Sequence, residues 1–367
     1  MGRRIAIVHE RLTEIAGSEH VVEQLSVQWP DAEVHATIAR PEGIPAGLSG
    51  APRTTWLDAG YRLLGRRSYA PLMPLMPLAF RGMKLGSADV VVASHHAFAT
   101  QAAFATDAPV VAYVHSPARW AWDPSLRQGE ADGMLGRAAL TALSSVARRG
   151  ESAAAPRLAG VVANSAAVAE RIEKWWGADA VVVHPPVDTA GFTPDPTVER
   201  EDFFLLAGRL VPYKRPDLAV RAARRAGVRL VVVGDGRAME QCRALAGPET
   251  TFLGRVPHAQ LLDLHRRSRA LVMPGLEDFG IVPVEAMACG TPVLALGAGG
   301  ALDTVVPGVT GELVSGRGDE ELVAGFAAAM RDFDSGGYDR DRIRGWAETF
   351  SRTAFRDKMQ AVVDGVR

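Results

Sequence analysis

Two cysteines in 367 residues, Cys242 and Cys289, have no paired spacing, which excludes a disulfide-stapled fold. They read as free buried thiols in a reducing cytoplasm, with no neighbouring His or basic residue to make either one reactive. A formal net charge of -1 excludes the strongly basic character of a nucleic-acid binder, so no nucleic-acid partner is expected. No uninterrupted apolar run reaches the roughly 20 residues that span a bilayer. The opening MGRRIAIVHE lacks the apolar core and cleavage site of a secretory signal, and a cytoplasmic location is expected. What is present is ordinary for a globular protein, at 47% hydrophobic and 23% charged, in a chain long enough for two cores.

The chain is organised around LVMPGLEDFGIVPVEAMACGTP, residues 271–292. It reads as a buried strand end, a tight loop, and a short helix with Pro283 in its first turn and Gly290 just past its end. Backbone N–H groups near Ile281 and Val282, behind Gly280, have no intrahelical partner, and the helix dipole favours an anion there. Glu277 and Glu285, with seven residues between them, bracket this turn. Two carboxylates beside an anion site imply a hydroxyl-rich ligand attached to phosphate, such as a sugar and a ribose.

Strand patterns at 4–9, 32–39, 89–94 and 109–114 alternate with amphipathic helical patterns, including a long alanine-rich helix from 134 to 149. The alternation continues through the second half, implying two parallel-sheet domains. Gly17 lies in the first strand-to-helix loop, where a missing side chain lets a ligand approach the backbone. His115 follows the strand VVAYV at its carboxyl end, where open α/β sheets bind ligands. Trp120, Trp122 and Asp123 follow it, to line a pocket or to pack under a loop. Between 61 and 85, Arg62, Arg66, Arg67, Arg81 and Lys84 are mixed with leucines, methionines and Phe80, and Pro71, Pro74 and Pro77 forbid one continuous helix. This segment packs on the first sheet or makes weak peripheral contact with an anionic membrane, at its inner face.

Pro185, Pro186, Pro194 and Pro196 mark a semi-rigid connector. It separates a first domain, 1–190 completed by a tail helix 345–367, from a second at 198–344. The strand FFLLAG ends at Gly208, and Arg209 and Lys214 lie in the loop that follows. An arginine forks across phosphate oxygens while a lysine adds a mobile charge, so the two suit a diphosphate leaving group. The aspartate pairs in DFDS and DRDR read as a solvated loop and a helix start, and no metal site is expected.

The motif Glu277, Asp278, Phe279, Gly280, Pro283, Glu285, Ala286, with Cys289-Gly290-Thr291-Pro292, resembles that of retaining GT-B glycosyltransferases of family 4, the glycosyl transferases group 1. GRL with a lysine five residues after the arginine, and YVHSPARWAWD, are similar to further family motifs; the latter resembles the bacterial O-antigen-type mannosyltransferase branch. At the first loop the match is partial, since Ala16 precedes Gly17 where the family often has two glycines. The resemblance implies two Rossmann-like domains facing across a cleft, with acceptor on the first, donor on the second, and a final helix crossing back. It implies transfer of a hexose from a nucleoside-diphosphate sugar to a hydroxyl acceptor with retention, without metal or other cofactor. Arg209, Lys214, Ile281 and Val282 would hold the diphosphate, Glu285 the ribose, Glu277 and His115 the sugar, and the backbone at Arg255 and Val256 the base. GDP-mannose is favoured over a UDP-hexose; a non-catalytic nucleotide-sugar binder is the other alternative.

Overall fold

The computed structural model describes residues 3–123 and 133–366, and divides into two compact units, Met1–Pro186 with Phe355–Arg367, and Val187–Ala354. In the first unit β1 (Ile5–His9), β2 (Glu33–Ala36), β3 (Arg53–Thr54), β4 (Val90–His95), β5 (Val110–Val114), β6 (Gly160–Ala163) and β7 (Val181–Val182) form one sheet. The order is β3-β2-β1-β4-β5-β6-β7 and every pairing is parallel. IAIVH, VVVASH and VVAYV are buried along their whole length. Continuous β-branched runs of this kind suit strands covered on both faces. Alternation sorts them: Ala6, Val8, Val91 and Ala93 enter one core, Ile5, Ile7, Val90 and Val92 the other. The last helix, Arg352–Gly365, places Phe355, Met359 and Val363 in the second of these cores. Full burial of side chains this large stabilises by about 2 kcal/mol each.

The second unit repeats the plan with β8 (Phe204–Ala207), β9 (Leu230–Val233), β10 (Thr250–Gly254), β11 (Ala270–Met273), β12 (Val293–Leu296) and β13 (Gly311–Val314). Their order is β10-β9-β8-β11-β12-β13, again all parallel. Two Rossmann-like parallel sheets are therefore present. In each, winding reverses beside the first strand, between β1 and β4 and between β8 and β11. Carboxyl ends at such a switch point leave a crevice, because the following loops diverge to opposite faces.

The unit boundaries differ from those expected. Val187 and Phe192, inside the Pro-rich segment, are buried in a second-unit core with Phe279, Val284 and Phe350. The helix Arg340–Glu348 buries Ile343 and Ala347 in the same core. Residues 187–190 and 345–354 thus belong to the second unit; two apolar anchors outweigh the stiffness the prolines suggested. Between 61 and 85 the prolines act as expected, giving a 3₁₀ turn Ala70–Leu75 and a short helix Met76–Arg81.

Candidate functional site

At the switch point of the second unit, Lys214 follows β8 in the 3₁₀ turn Pro212–Lys214, and Glu277 follows β11. Lys214 Nζ lies 2.8 Å from Glu277 Oε1, an ion contact whose direction falls short of a hydrogen bond. The pair bridges the diverging loops. Gly275 permits that approach: a Cβ there would fall 2.4 Å from the carbonyl oxygen of Lys214. Arg209 is exposed, donating to the Tyr213 hydroxyl at 3.3 Å.

The helix Ile281–Ala288 starts behind Gly280, whose φ of +92° is left-handed backbone that favours glycine. Gly280 has no side chain to cap it, and among the described residues no side chain bonds the N–H groups of Ile281 and Val282; Pro283 has no N–H to satisfy. Phe279, buried against Phe350, anchors the loop just before it. Glu285, one turn in, is partly accessible but crowded by protein. Burial, with Asp188 adding repulsion, pushes its carboxyl up to about 7. Arg255 is exposed in the loop after β10, and Val256 packs on the unit's core. All these residues lie at or beyond the carboxyl ends of β8, β10 and β11, and Lys214 and Glu277 are in direct contact.

At the first unit's switch point the polar groups are buried. Register sets His9, ending β1, opposite Ser94 in β4, and its Nδ1 lies 3.0 Å from Ser94 Oγ. Ser94 Oγ is 2.8 Å from His115 Nε2, and His9 Nε2 is 3.3 Å from Glu19 Oε1. Glu19 also accepts from the N–H of Ala16 and the hydroxyl of Ser18, both at 2.9 Å. These contacts, His9 foremost, outweigh burial and hold its carboxyl down at about 2. Burial lowers the His115 ring to about 3, with His9 adding to the effect and Glu19 opposing it. His96 stacks on His115 with centroids 4.4 Å apart, and burial and its histidine neighbours hold it well below its ordinary range.

Beside this chain Glu10 Oε1 accepts from the backbone N–H groups of His96, Ala97, Phe98 and Ala99 at 2.6–3.1 Å. Burial alone would raise its pKa, but His95 and these donors bring it below the ordinary value. Glu151 accepts from His95 Nε2 at 2.9 Å, from the Ala118 N–H at 2.8 Å, and from the indoles of Trp122 and Trp176. Trp122 stacks on Trp175 and Trp120 packs edge-on to Phe98, so both tryptophans serve in packing.

The remaining expectations resolve locally. Gly17 is the first residue of the helix Gly17–Gln28. Asp339 caps the helix Arg340–Glu348 by accepting from the N–H groups of 341 and 342, which accounts for DRDR as a helix start. Cys242 and Cys289 are free and buried. Contrary to expectation Cys289 has basic neighbours, Arg266 and Arg344, yet burial outweighs them and pushes its thiol up to about 12. Sequence reading passed over His9, Glu10, Glu19, Ser94, His95, His96 and Glu151. The available signal was polar residues closing apolar strands, in IAIVHE and VVVASHH.

Two family models match in tandem. The family described as Glycosyltransferase Family 4 matches residues 15–190, and Glycosyl transferases group 1 matches 192–340. A D-inositol 3-phosphate glycosyltransferase of Kribbella flavida is 34% identical over 204 residues, 47% of this chain and 48% of its own length. One of Mycobacterium bovis is 36% identical over 183 residues, 43% of this chain and 38% of its own length. This chain thus aligns with half or less of those relatives. The crystal structure of Anabaena HepE in complex with UDP and glucose superposes with a TM-score of 0.70 at 17% identity, covering 99% of this chain and 100% of that one. That likeness establishes the GT-B fold of both units. The chain belongs to the group 1, family 4 glycosyltransferases.

Proposed function

We infer that this chain transfers a hexose from a nucleoside-diphosphate sugar to a hydroxyl acceptor, with retention of anomeric configuration. The observation carrying the reading is the Lys214–Glu277 contact across the switch point, beside a helix start with no side-chain cap. An arriving diphosphate takes over Lys214, and Arg209 and the N–H groups of Ile281 and Val282 complete its cradle. Glu277, released, accepts from a sugar hydroxyl, and Glu285 accepts from the ribose. As the bond from anomeric carbon to diphosphate oxygen breaks, the preorganised cations and dipole stabilise the growing charge. The acceptor oxygen bonds to the same face and its proton passes to the departing diphosphate. Cations in these roles make a metal unnecessary, and activity is expected to persist with chelator present; a strict magnesium requirement would refute this.

Mannose is the favoured sugar, on the sequence likeness of the His115 stretch. A UDP-hexose is the second reading, favoured by the UDP and glucose bound to the HepE structure that shares this fold. Thermal-shift screening of GDP- and UDP-sugars separates them. Incubation of the favoured donor with candidate hydroxyl acceptors, a phosphorylated cyclitol among them, then tests transfer through released nucleoside diphosphate. Binding without release under any acceptor would leave a nucleotide-sugar binder instead of an enzyme.

No helix among the described residues is long and apolar enough to cross a membrane. The expected cytoplasmic location belongs to the same proposal, as does weak peripheral contact with the inner membrane face through 61–85. In that segment Leu63 is 89% and Leu78 61% exposed, alongside exposed Arg67 and Lys84. Anionic liposomes are expected to sediment the protein at low salt but not neutral ones; no binding to either removes the contact.

A further inference from the structure

Lys214 is followed by a backbone kink that the next residue is poorly suited to make. Arg215 takes φ 51° and ψ 44°, left-handed backbone in which a Cβ crowds the following carbonyl. It also precedes Pro216, whose ring favours extended backbone in the residue before it. Among the described residues only Arg66 shares a positive φ without being glycine. Glycine would take this conformation without that cost, so the reason for an arginine lies in its side chain. Nε and Nη2 of Arg215 donate to the two oxygens of Asp217, both at 3.0 Å. Nη1 and Nη2 donate to the two oxygens of Asp319 at 2.9 and 2.6 Å. Four of the five guanidinium N–H groups are spent in this way, which makes Arg215 a tie between elements and leaves little of it for an incoming anion. Asp217 lies in the first turn of the helix Pro216–Ala226, and Asp319 begins the helix Asp319–Asp332. These helices share a core through Ala219, Ala223, Phe326 and Ala327, and Arg221 pairs with Glu320 one turn further on.

We propose that Arg215, through its fork onto Asp217 and Asp319, is a positioning residue that aims Lys214 at the diphosphate. The inference rests on the glycosyl-transfer reading for its kinetic consequence, though the hold on Lys214 does not. The kink is fastened on one side to a packed pair of helices. On the other side the backbone of Lys214 rests on Gly275, where an added Cβ would fall 2.6 Å from Lys214 Cα. A lysine has a long, many-jointed side chain, so its ammonium is placed well only if its root is fixed. Here the root is held from two directions while the tip reaches Glu277 Oε1 at 2.8 Å. The ammonium can then exchange one anion for another with no movement of the backbone that carries it, which keeps the cost of orienting it out of the transfer step.

The test uses the full chain and two variants. Arg215→Gly permits the kink and removes the fork, whereas Asp319→Asn leaves Arg215 in place and takes the charge from its anchor on the second helix. Lys214 is one of four lysines, and the others, Lys84, Lys174 and Lys358, are exposed and serve as internal references. Competitive acetylation read by mass spectrometry is expected to modify Lys214 more slowly than these three in wild type. In either variant Lys214 should react about two- to fivefold faster, the scale of a loosened accessible ion pair. Unchanged labelling of Lys214 in either variant overturns the proposal. In the transfer assay Arg215→Gly is expected to lower kcat by about tenfold, short of the roughly hundredfold cost of a fully misplaced group. Placed on Lys214→Ala, the same substitution should cost nothing further, because its effect runs through a side chain already removed. An equal fold loss in both backgrounds, as from general destabilisation or from direct contact between Arg215 and substrate, overturns the proposal, and so does wild-type kcat in Arg215→Gly. Wild-type protein that transfers nothing refutes the functional reading alone, and the labelling still decides whether Arg215 holds Lys214.

Discussion

The two switch points share one topology and are furnished in opposite ways. In the second unit the groups at the crevice are accessible: Arg209 is exposed, and the side chains of Lys214 and Glu277 are 21% and 17% exposed. In the first unit His9, Glu10, Ser94 and His95 are each at most 1% exposed and spend their hydrogen bonds on one another or on backbone. An accessible cation can change partner when an anion arrives, whereas a buried chain of satisfied bonds can only hold a geometry already set. One half is built to exchange contacts and the other to keep them.

Substitutions sharpen that contrast. Lys214→Ala is expected to lower transfer by about 10²–10³-fold, the scale of a lost transition-state donor. Its unfolding free energy should change by no more than about 1 kcal/mol, as for accessible ion pairs. Kinetics and denaturant melts read together check this, and a variant that melts early but transfers normally would erase the distinction. Glu10→Gln should do the reverse of that dissociation, destabilising by about 2–3 kcal/mol because a buried charge and its donors lose their match. The wild-type term has a definite sign. The folded-state pKa of Glu10 lies below the ordinary 4.5, so its contribution is present above that value and lost as pH falls through the folded pKa. Glu10→Gln should therefore flatten the acid limb of the stability curve.

Glu285 runs the other way. Its folded pKa of about 7 exceeds the ordinary 4.5, so its contribution to stability is present below 4.5 and fades as pH rises through about 7. The ionised form is the stronger acceptor for ribose hydroxyls, so donor affinity is expected to increase by up to about tenfold from roughly pH 6 to 8. Calorimetry across that range should find the slope in wild type and none in Glu285→Gln. The smallest effect concerns Glu277→Gln. Freed of its carboxylate partner, Lys214 should bind nucleoside diphosphate about two- to fivefold more tightly, the value of an accessible pair. Transfer from the intact sugar nucleotide should fall; weaker binding of the bare diphosphate would show that the pair does not exchange.

Legibility in the sequence followed the same division. Continuous apolar runs such as VVVAS and VVAYV announce buried parallel strands, since a strand covered on both faces has no polar alternate. Arg209, Lys214, Glu277 and Glu285 stand out because cations and carboxylates at fixed offsets from a strand end or helix start are local signals. The histidine chain is not local. His9 meets Ser94 through the β1–β4 register across 85 residues, and Glu151 reaches His95 from a distant helix. Spacing along the chain does not encode such pairings, although the polar letters closing each strand mark where to look. The domain boundary misled for a related reason: four prolines are conspicuous, whereas the burial of Val187 and Phe192 depends on partners far along the sequence.

Residues 3–7 and 355–366, far apart in sequence, share one core. Arg3 donates to the carbonyl of Val363 at 2.6 Å, and Phe355, Met359, Val363 and Val366 pack with Ile5 and Ile7. During synthesis the second unit, lying wholly between these segments, has every residue it needs before the first unit does. The earliest-made strands, covered on that side by Val21, Val22 and Leu25 of the first helix, complete their core only when Arg352–Gly365 has been made, a closure over more than 300 residues of intervening chain. Loss of the helix Arg352–Gly365 would strike the earlier-made unit and spare the one completed before it.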